Sequence, residues 1–244
     1  MNILTIGNSF SDDATRYLHQ IARKDGENIQ VSNISIGGCP LSVHMKTMYT
    51  ENKRHFLNYN GFNTGVQVSI QEALAGREWD YISLQQVSHK SPKYETFQPY
   101  LNNLAEFIRE VAPEAKLLIH QTWAYAQDSK RLTEELGYEK HQDMFKDVQA
   151  SYQKAAEEIG AYKIIPCGEV FQKMLENGIE KIHRDGFHAD LGLGRYALGL
   201  TWYRALTGKD VSNLKLDACD FDVEVNEKDL EIARKSVMEV LTNI

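Results

Sequence analysis

Five short runs of aliphatic and β-branched residues, each followed by a stretch of helical periodicity, constrain this chain more than any other feature. The runs cover residues 2–6, 28–36, 80–84, 116–120 and 161–166. Behind the first lie Ala14, Tyr17, Leu18 and Ile21, and behind the third Leu101, Leu104, Ala105 and Ile108, apolar at the three- and four-residue spacing of a buried helix face. Strands separated by helices must cross over rather than pair as hairpins, which gives a parallel sheet with right-handed connections and helices on both sides. The expected fold is α/β: a five-stranded, doubly wound parallel sheet in a flavodoxin-like three-layer α/β/α arrangement. A single domain over residues 1–244 is expected, because no linker, repeat or low-complexity tract interrupts it, with 217–244 as an extension that ends in an amphipathic helix over 227–241. Between the second and third strands, 41–57 reads as helix and 59–65 as loop.

In a sheet of this kind ligands bind beyond the carboxyl ends of the strands. The loops 7–12, 37–40, 85–91 and 121–125 should therefore converge on one crevice. The partners of that crevice are narrowed by charge. A net charge of −7, with no basic run, disfavours nucleic acid and anionic membrane. No apolar stretch approaches the roughly 18 residues of a membrane span. Cys39, Cys167 and Cys219 are odd in number and widely spaced, so neither a disulfide framework nor a zinc ribbon is suggested. Met1 runs directly into the first strand without a basic and apolar leader, and the reading places the protein in the cytoplasm. No cofactor or metal is expected.

The first turn reads Gly7-Asn8-Ser9-Phe10-Ser11-Asp12. A serine in a strand–turn–helix can cap the helix, since Ser is a preferred cap residue, or present its hydroxyl at the sheet edge as a nucleophile. A partner base decides between the two, and Asp185-Gly186-Phe187-His188 offers one. An Asp three residues before a His, with Gly between them, can fold back so that the carboxylate accepts from one imidazole nitrogen while the other faces a hydroxyl, the division of labour of a Ser-His-Asp triad. Ser9 or Ser11 is then the candidate nucleophile, with the other left to the capping role, and Asn8 helps to hold the turn.

Gly7-Asn8-Ser9, Gly37-Gly38, the polar turn after the third strand and Asp185-x-x-His188 occur in the order and approximate spacing of the SGNH/GDSL hydrolase superfamily. The chain resembles the branch whose first block reads Gly-Asn-Ser-Phe rather than Gly-Asp-Ser. Residues 36–41 with His44, 121–125, and 185–188 through 194–196 are similar to it as well, so the likeness runs from Met1 to about Gly208. The resemblance implies an SGNH-type serine esterase acting through an acyl-enzyme, with Ser9 as nucleophile, His188 as general base and then acid, and Asp185 orienting His188. It also implies an oxyanion hole made of the N–H of Ser9, the N–H of Gly38 with Gly37 as the fallback, and a side-chain amide after the third strand. The superfamily's Gly-x-Asn-Asp block is replaced here by Leu84-Gln85-Gln86-Val87-Ser88. Gln85 is the first choice for that donor and Gln86 the second, since neighbouring strand residues face opposite ways. The substrate expected is a small ester, with acetyl as the acyl group and a carbohydrate or other polar alcohol as the leaving group. Trp123, Tyr125 and His44 are candidate substrate contacts, with His89 and His120 as further crevice residues.

Two rival readings use the same residues. His183, Asp185, His188 and Asp190 supply metal-ligand types within eight positions, as a metal-dependent hydrolase would need. Alternatively, the first turn could hold a phosphate or a sugar in a non-catalytic binding module.

Overall fold

The computed structural model describes residues 1–214 and 219–242. Residues 217, 218, 243 and 244 of the expected extension lie outside the described residues. The chain forms β1 (Asn2–Gly7), α1 (Ser9–Thr15), α2 (Leu18–Lys24), β2 (Gln30–Ser35), α3 (Leu41–Thr50), β3 (His55–Tyr59), β4 (Phe62–Val68), α4 (Ile70–Ala75) and β5 (Tyr81–Leu84). It continues with α5 (Tyr100–Val111), β6 (Lys116–His120), α6 (His141–Glu158), β7 (Lys163–Ile165), α7 (Cys167–Glu176), α8 (Leu193–Thr207) and α9 (Glu227–Val240).

The sheet has seven strands in the order β4-β3-β2-β1-β5-β6-β7. The five strands from β2 to β7 run parallel, as the alternation requires. β1 is central and its Ile3, Leu4 and Ile6 are fully buried, so the turn that follows it opens in the middle of the sheet edge. The strand count corrects the expected five. Residues 55–68, read as the end of a helix and a loop, form the hairpin β3–β4, antiparallel to β2 and to each other. Two local causes produce it: α3 ends early at Glu51, which sits in the left-handed region at φ 51°, and Asn60-Gly61, at φ 50° and 85°, fills the two central positions of a hairpin turn. The first helix also differs from expectation. It begins at Ser9 rather than at residue 13 and breaks before α2, with Asn8 as its cap.

α1, α2, α7, α8 and α9 pack with one another, while α3 and α4 pack on α5. α8 is buried around most of its circumference, as expected of a helix enclosed on all sides. A Cβ at Gly194 would meet the Ile182 carbonyl oxygen at 3.0 Å, and one at Gly199 would meet Ile21 at 2.9 Å, so both backbones approach their neighbours closely. Leu230, Ala233 and Val237 of α9 belong to the same apolar core as β1. Among the described residues no helix is long and apolar enough to cross a membrane.

Candidate active site

Ser9 occupies the first position of α1, at the C-terminal end of β1. Its placement depends on Asn8, which is buried and engaged on every side. Asn8 Oδ1 accepts from Phe10 N at 3.1 Å and from Gln85 Nε2 at 3.0 Å, and Asn8 Nδ2 donates to the Cys39 carbonyl at 3.1 Å. One side chain thus ties together the loops after β1, β2 and β5. The cap takes the Phe10 N–H and leaves the Ser9 N–H among the donors that a helix start cannot satisfy internally. Ser11 does not cap, because its hydroxyl donates to the Asn8 carbonyl at 2.7 Å.

The partner segment is a miniature hairpin. His183 and Ala189 form an antiparallel bridge, Arg184 N donates to the His188 carbonyl at 3.1 Å, and Asp190 N donates to that of Ile182 at 2.8 Å. Residues 185–188 form its tip. Gly186 turns the chain at φ 88°, and a Cβ there would meet Ser129 Oγ at 3.1 Å. Asp185 Oδ1 accepts the backbone N–H groups of His188 at 2.9 Å and Phe187 at 3.3 Å, which frees Oδ2 to accept from His188 Nδ1 at 2.7 Å. His188 Nε2 lies 2.9 Å from Ser9 Oγ across 179 residues of sequence. Burial works to raise the Asp185 carboxyl, but the hydrogen bonds and charge of His188 outweigh it and hold the group below the usual carboxylate value. A carboxylate that stays ionised against an imidazole N–H fixes the tautomer whose other nitrogen can take a hydroxyl proton.

The aromatic surroundings fix the ring. Phe187 packs on His188 with centroids 4.0 Å apart, Phe10 lies 5.7 Å from His188, and the Arg131 guanidinium sits 4.4 Å above Phe187. Gly38, exposed and at φ 63°, lies in the loop after β2. Gly37 beside it is also exposed.

Several expected contacts fall elsewhere. Gln86 is fully buried and spent on the scaffold: its Oε1 accepts from Leu41 N at 3.1 Å and Val87 N at 2.9 Å, and its Nε2 donates to the Thr96 carbonyl at 2.7 Å. Gln85, equally buried, turns its Nε2 to Asn8, while its Oε1 has no hydrogen-bond partner. Neither amide is presented at the crevice, because the loops beneath it compete for the same polar atoms. His44 has no exposed surface. It stacks on His55 with Nδ1 3.0 Å from His55 Nε2. Trp123 is also fully buried, stacked on Phe10 at 4.2 Å and donating to the Phe187 carbonyl at 2.8 Å. Tyr125 is buried, with its hydroxyl 2.9 Å from that of Ser88. His44 and Trp123 are enclosed and support the walls, whereas Tyr125, though buried, lines the cavity bounded by residues 124–131 and 179–186. His120 is enclosed, and His89 is half-buried with its imidazole held below the ordinary value by burial and then by the charges of Lys90 and Arg131.

The quartet read as candidate metal ligands, His183, Asp185, His188 and Asp190, does not converge. His183 Nε2 faces the Ala124 carbonyl at 3.0 Å, Asp185 is committed to His188, and Asp190 Oδ1 caps α8 by accepting from Gly192 N and Leu193 N at 2.9 and 2.8 Å. Among the described residues no group of three or more His, Cys, Asp or Glu side chains is arranged to hold a metal ion. A cavity of about 1040 Å³ opens between the segments 124–131 and 179–186, and of Ser9, His188 and Asp185 only Asp185 lines it.

A family model described as "Domain of unknown function (DUF4886)" matches residues 2–240. No curated relative matches the chain. Among solved structures, a DUF4886 family protein from Bacteroides uniformis is 31% identical, with a TM-score of 0.90 over 100% of this chain and 95% of that one. A candidate SGNH hydrolase from Slackia heliotrinireducens is 24% identical, with a TM-score of 0.59 over 84% of this chain and 98% of that one. Axe2, an acetylxylan esterase from Geobacillus stearothermophilus, is 14% identical, with a TM-score of 0.50 over 84% and 91%. The last two likenesses establish the α/β fold shared with SGNH hydrolases.

Proposed function

The chain belongs to the DUF4886 family, and from the geometry of its serine, histidine and aspartate we propose that it is a serine esterase that hydrolyses small acyl esters, acetyl esters of a carbohydrate or other polar alcohol above all. The observation that carries the reading is the continuous hydrogen-bond chain from Ser9 Oγ to His188 at 2.9 Å and from His188 to Asp185 at 2.7 Å. The fold shared with hydrolases that include an acetylxylan esterase supports it.

In the proposed reaction Ser9 Oγ attacks the ester carbonyl carbon while His188 Nε2 takes the hydroxyl proton, and Asp185 stabilises the imidazolium that forms. The N–H groups of Ser9 and Gly38 receive the oxyanion. Collapse of the tetrahedral intermediate breaks the bond to the alcohol, which leaves with the proton from His188. Water, deprotonated by His188, then hydrolyses the acyl-enzyme and restores Ser9. The third donor expected from Gln85 or Gln86 is not part of this scheme, and one missing oxyanion donor typically costs on the order of 10²–10³ in rate. The enzyme is therefore expected to favour activated or small acyl groups. Hydrolysis of p-nitrophenyl acetate that disappears in Ser9→Ala, together with covalent labelling of Ser9 by an organophosphonate, is the expected result. An active Ser9→Ala protein, or a wild-type protein that neither hydrolyses nor labels, would sink the reading.

A further inference from the structure

The contact between Ser9 and His188 joins two segments that the chain does not hold together locally. The tip 185–188 is internally fixed by Asp185, but nothing inside it sets its distance from α1. On its other side it is tied to the loop after β6, where Trp123 Nε1 donates to the Phe187 carbonyl and Ala126 N to that of Gly186, both at 2.8 Å. Among the described residues, the polar ties between α1 and this hairpin are the Ser9–His188 contact itself and a pair one helical turn further along, Asp13 and Arg184.

Asp13 follows Ser9 by four positions and so projects from the same side of α1. Its side chain is 1% exposed. Arg184 Nη1 donates to Asp13 Oδ1 at 3.0 Å and to Oδ2 at 2.9 Å. The same Nη1 reaches the Ala189 carbonyl, and the Arg184 backbone N–H closes the hairpin onto the His188 carbonyl. Arg184, the residue before Asp185, thus grips both strands of the hairpin at its base while it binds α1. Arg195, in the first turn of α8, donates through Nε to Asp13 Oδ1 at 2.8 Å. It extends the chain of charges to Asp222 at 2.6 Å, which in turn pairs with Arg16 at 2.6 Å. Burial raises the Asp13 carboxyl above its ordinary value, and the guanidinium groups of Arg195 and Arg184 pull it back towards the ionised form. A buried carboxylate shared by two guanidiniums has little freedom of position, since planar donors fix direction as well as distance.

We infer that Asp13 and Arg184, braced by Arg195, are positioning residues that set the separation of the Ser9 hydroxyl and the His188 imidazole. The assignment rests on the reading of Ser9 and His188 as nucleophile and base. The pair touches neither substrate nor the reacting atoms and acts through the hairpin. A misplacement of about 1 Å is enough to cost roughly 100-fold in rate.

The test compares Asp13→Asn, Arg184→Gln and Arg184→Lys with Arg204→Gln, a substitution of a buried arginine that holds the Leu241, Gly208 and Lys209 carbonyls away from the site. Asp13→Asn and Arg184→Gln are expected to lower kcat for p-nitrophenyl acetate by roughly 10- to 100-fold with KM changed less than about threefold. Arg184→Lys, which keeps the charge but not the planar donor, should recover part of the loss. Arg204→Gln should lower Tm and leave kcat unchanged. A crystal structure of Asp13→Asn, or of Arg184→Gln should Asp13→Asn fail to fold, is expected to show the Ser9 Oγ to His188 Nε2 distance beyond hydrogen-bond range. Wild-type kcat in folded Asp13→Asn and Arg184→Gln proteins, or a Ser9–His188 contact unchanged in the crystal, overturns the inference. If the wild-type protein proves inactive and unlabelled, the esterase reading fails by itself, and the crystallographic distance alone decides the positioning role.

Discussion

Acid should unfold this protein through its enclosed histidines. His44, His55, His120 and His183 are all buried, and burial is the largest cause holding them below the ordinary value of 6.5, at about 3, about 4, about 3 and about 4 respectively. The charge of His55 adds to burial at His44, and that of Arg54 at His55, whereas the Ala124 carbonyl pulls His183 the other way. In the unfolded chain these imidazoles take up protons near pH 6.5. Below that pH the unfolded state therefore binds more protons than the folded one, and stability falls as the pH drops from 6.5 towards about 4. Each unit of separation is worth about 1.4 kcal/mol per group, so at pH 5 the four histidines together cost roughly 8 kcal/mol. Asp12 has the opposite sign. Burial raises its carboxyl from 3.8 to about 6 against hydrogen bonds from Ser35, Asn58 and Asn33, so its penalty exists above that range and is relieved on acidification, returning about 1.4 kcal/mol at pH 5. The remaining loss, roughly 6–7 kcal/mol, is comparable with a whole domain stability of about 5–15 kcal/mol. Urea unfolding followed by circular dichroism should show a midpoint that is level above pH 7 and falls steeply between pH 6.5 and 5. His120, whose two ring nitrogens both lack partners, gives the single-site check: His120→Leu should flatten the slope by about one proton and raise stability at pH 7. An unfolding free energy that does not change between pH 7 and pH 5 would refute the reasoning.

Asp185→Asn should keep the fold and lower kcat on p-nitrophenyl acetate by about 10⁴, because an amide no longer selects the imidazole tautomer that accepts from Ser9; steady-state kinetics with an unchanged Tm as control would check it. Gly186→Ala places a Cβ at φ 88° and 3.1 Å from Ser129 Oγ, a strain of about 1–3 kcal/mol confined to the hairpin tip. Its kcat should therefore fall well before its Tm does, and an unchanged kcat would contradict the geometry. Asn8→Ala removes a helix cap worth about 1 kcal/mol and strands the buried Gln85 amide, for a total of about 2–3 kcal/mol, readable by thermal denaturation and accompanied by a loss of Ser9 labelling.

The parts of the fold that were legible in the sequence are those whose cause is local. The alternation of apolar runs and helical stripes gives the five parallel strands, and β6 falls on the expected residues. The spacing Asp185-x-x-His188 gives a turn whose hydrogen bonds all close within four residues. The hairpin β3–β4 was equally local but hidden: Asn60-Gly61 announces a turn, but the residues around it are mostly exposed, so no buried face with a two-residue period marks the strands. What the sequence could not disclose is which polar atom wins when several loops meet. An aromatic in a loop after a strand gives no sign of whether it points inward, and Trp123 does so because Phe10 offers it a face at 4.2 Å. Asp13, Arg184 and Arg195 carry no local signature at all, since their pairing spans 171 and 182 residues.

Two departures from the superfamily pattern, Asn8 where the first block usually has Asp and Gln85 where the third usually has Asn, were met separately in the sequence. In the fold they are partners, with Gln85 Nε2 donating to Asn8 Oδ1 at 3.0 Å. Asn8 is also the only member of that contact that donates onward, to the Cys39 carbonyl at 3.1 Å. An aspartate in its place has no donor for that carbonyl and would set a charge against it in a buried site, which is costly. An asparagine in place of Gln85, one methylene shorter, would not span to Asn8 from the same backbone. Each residue therefore makes sense of the other: the longer amide is drawn down to the Ser9 turn because Asn8, engaged with the loop after β2, holds the acceptor there. The Gln85 amide is turned away from the crevice because it is bonded to the residue that fixes the Ser9 turn, and the two departures meet in a single contact.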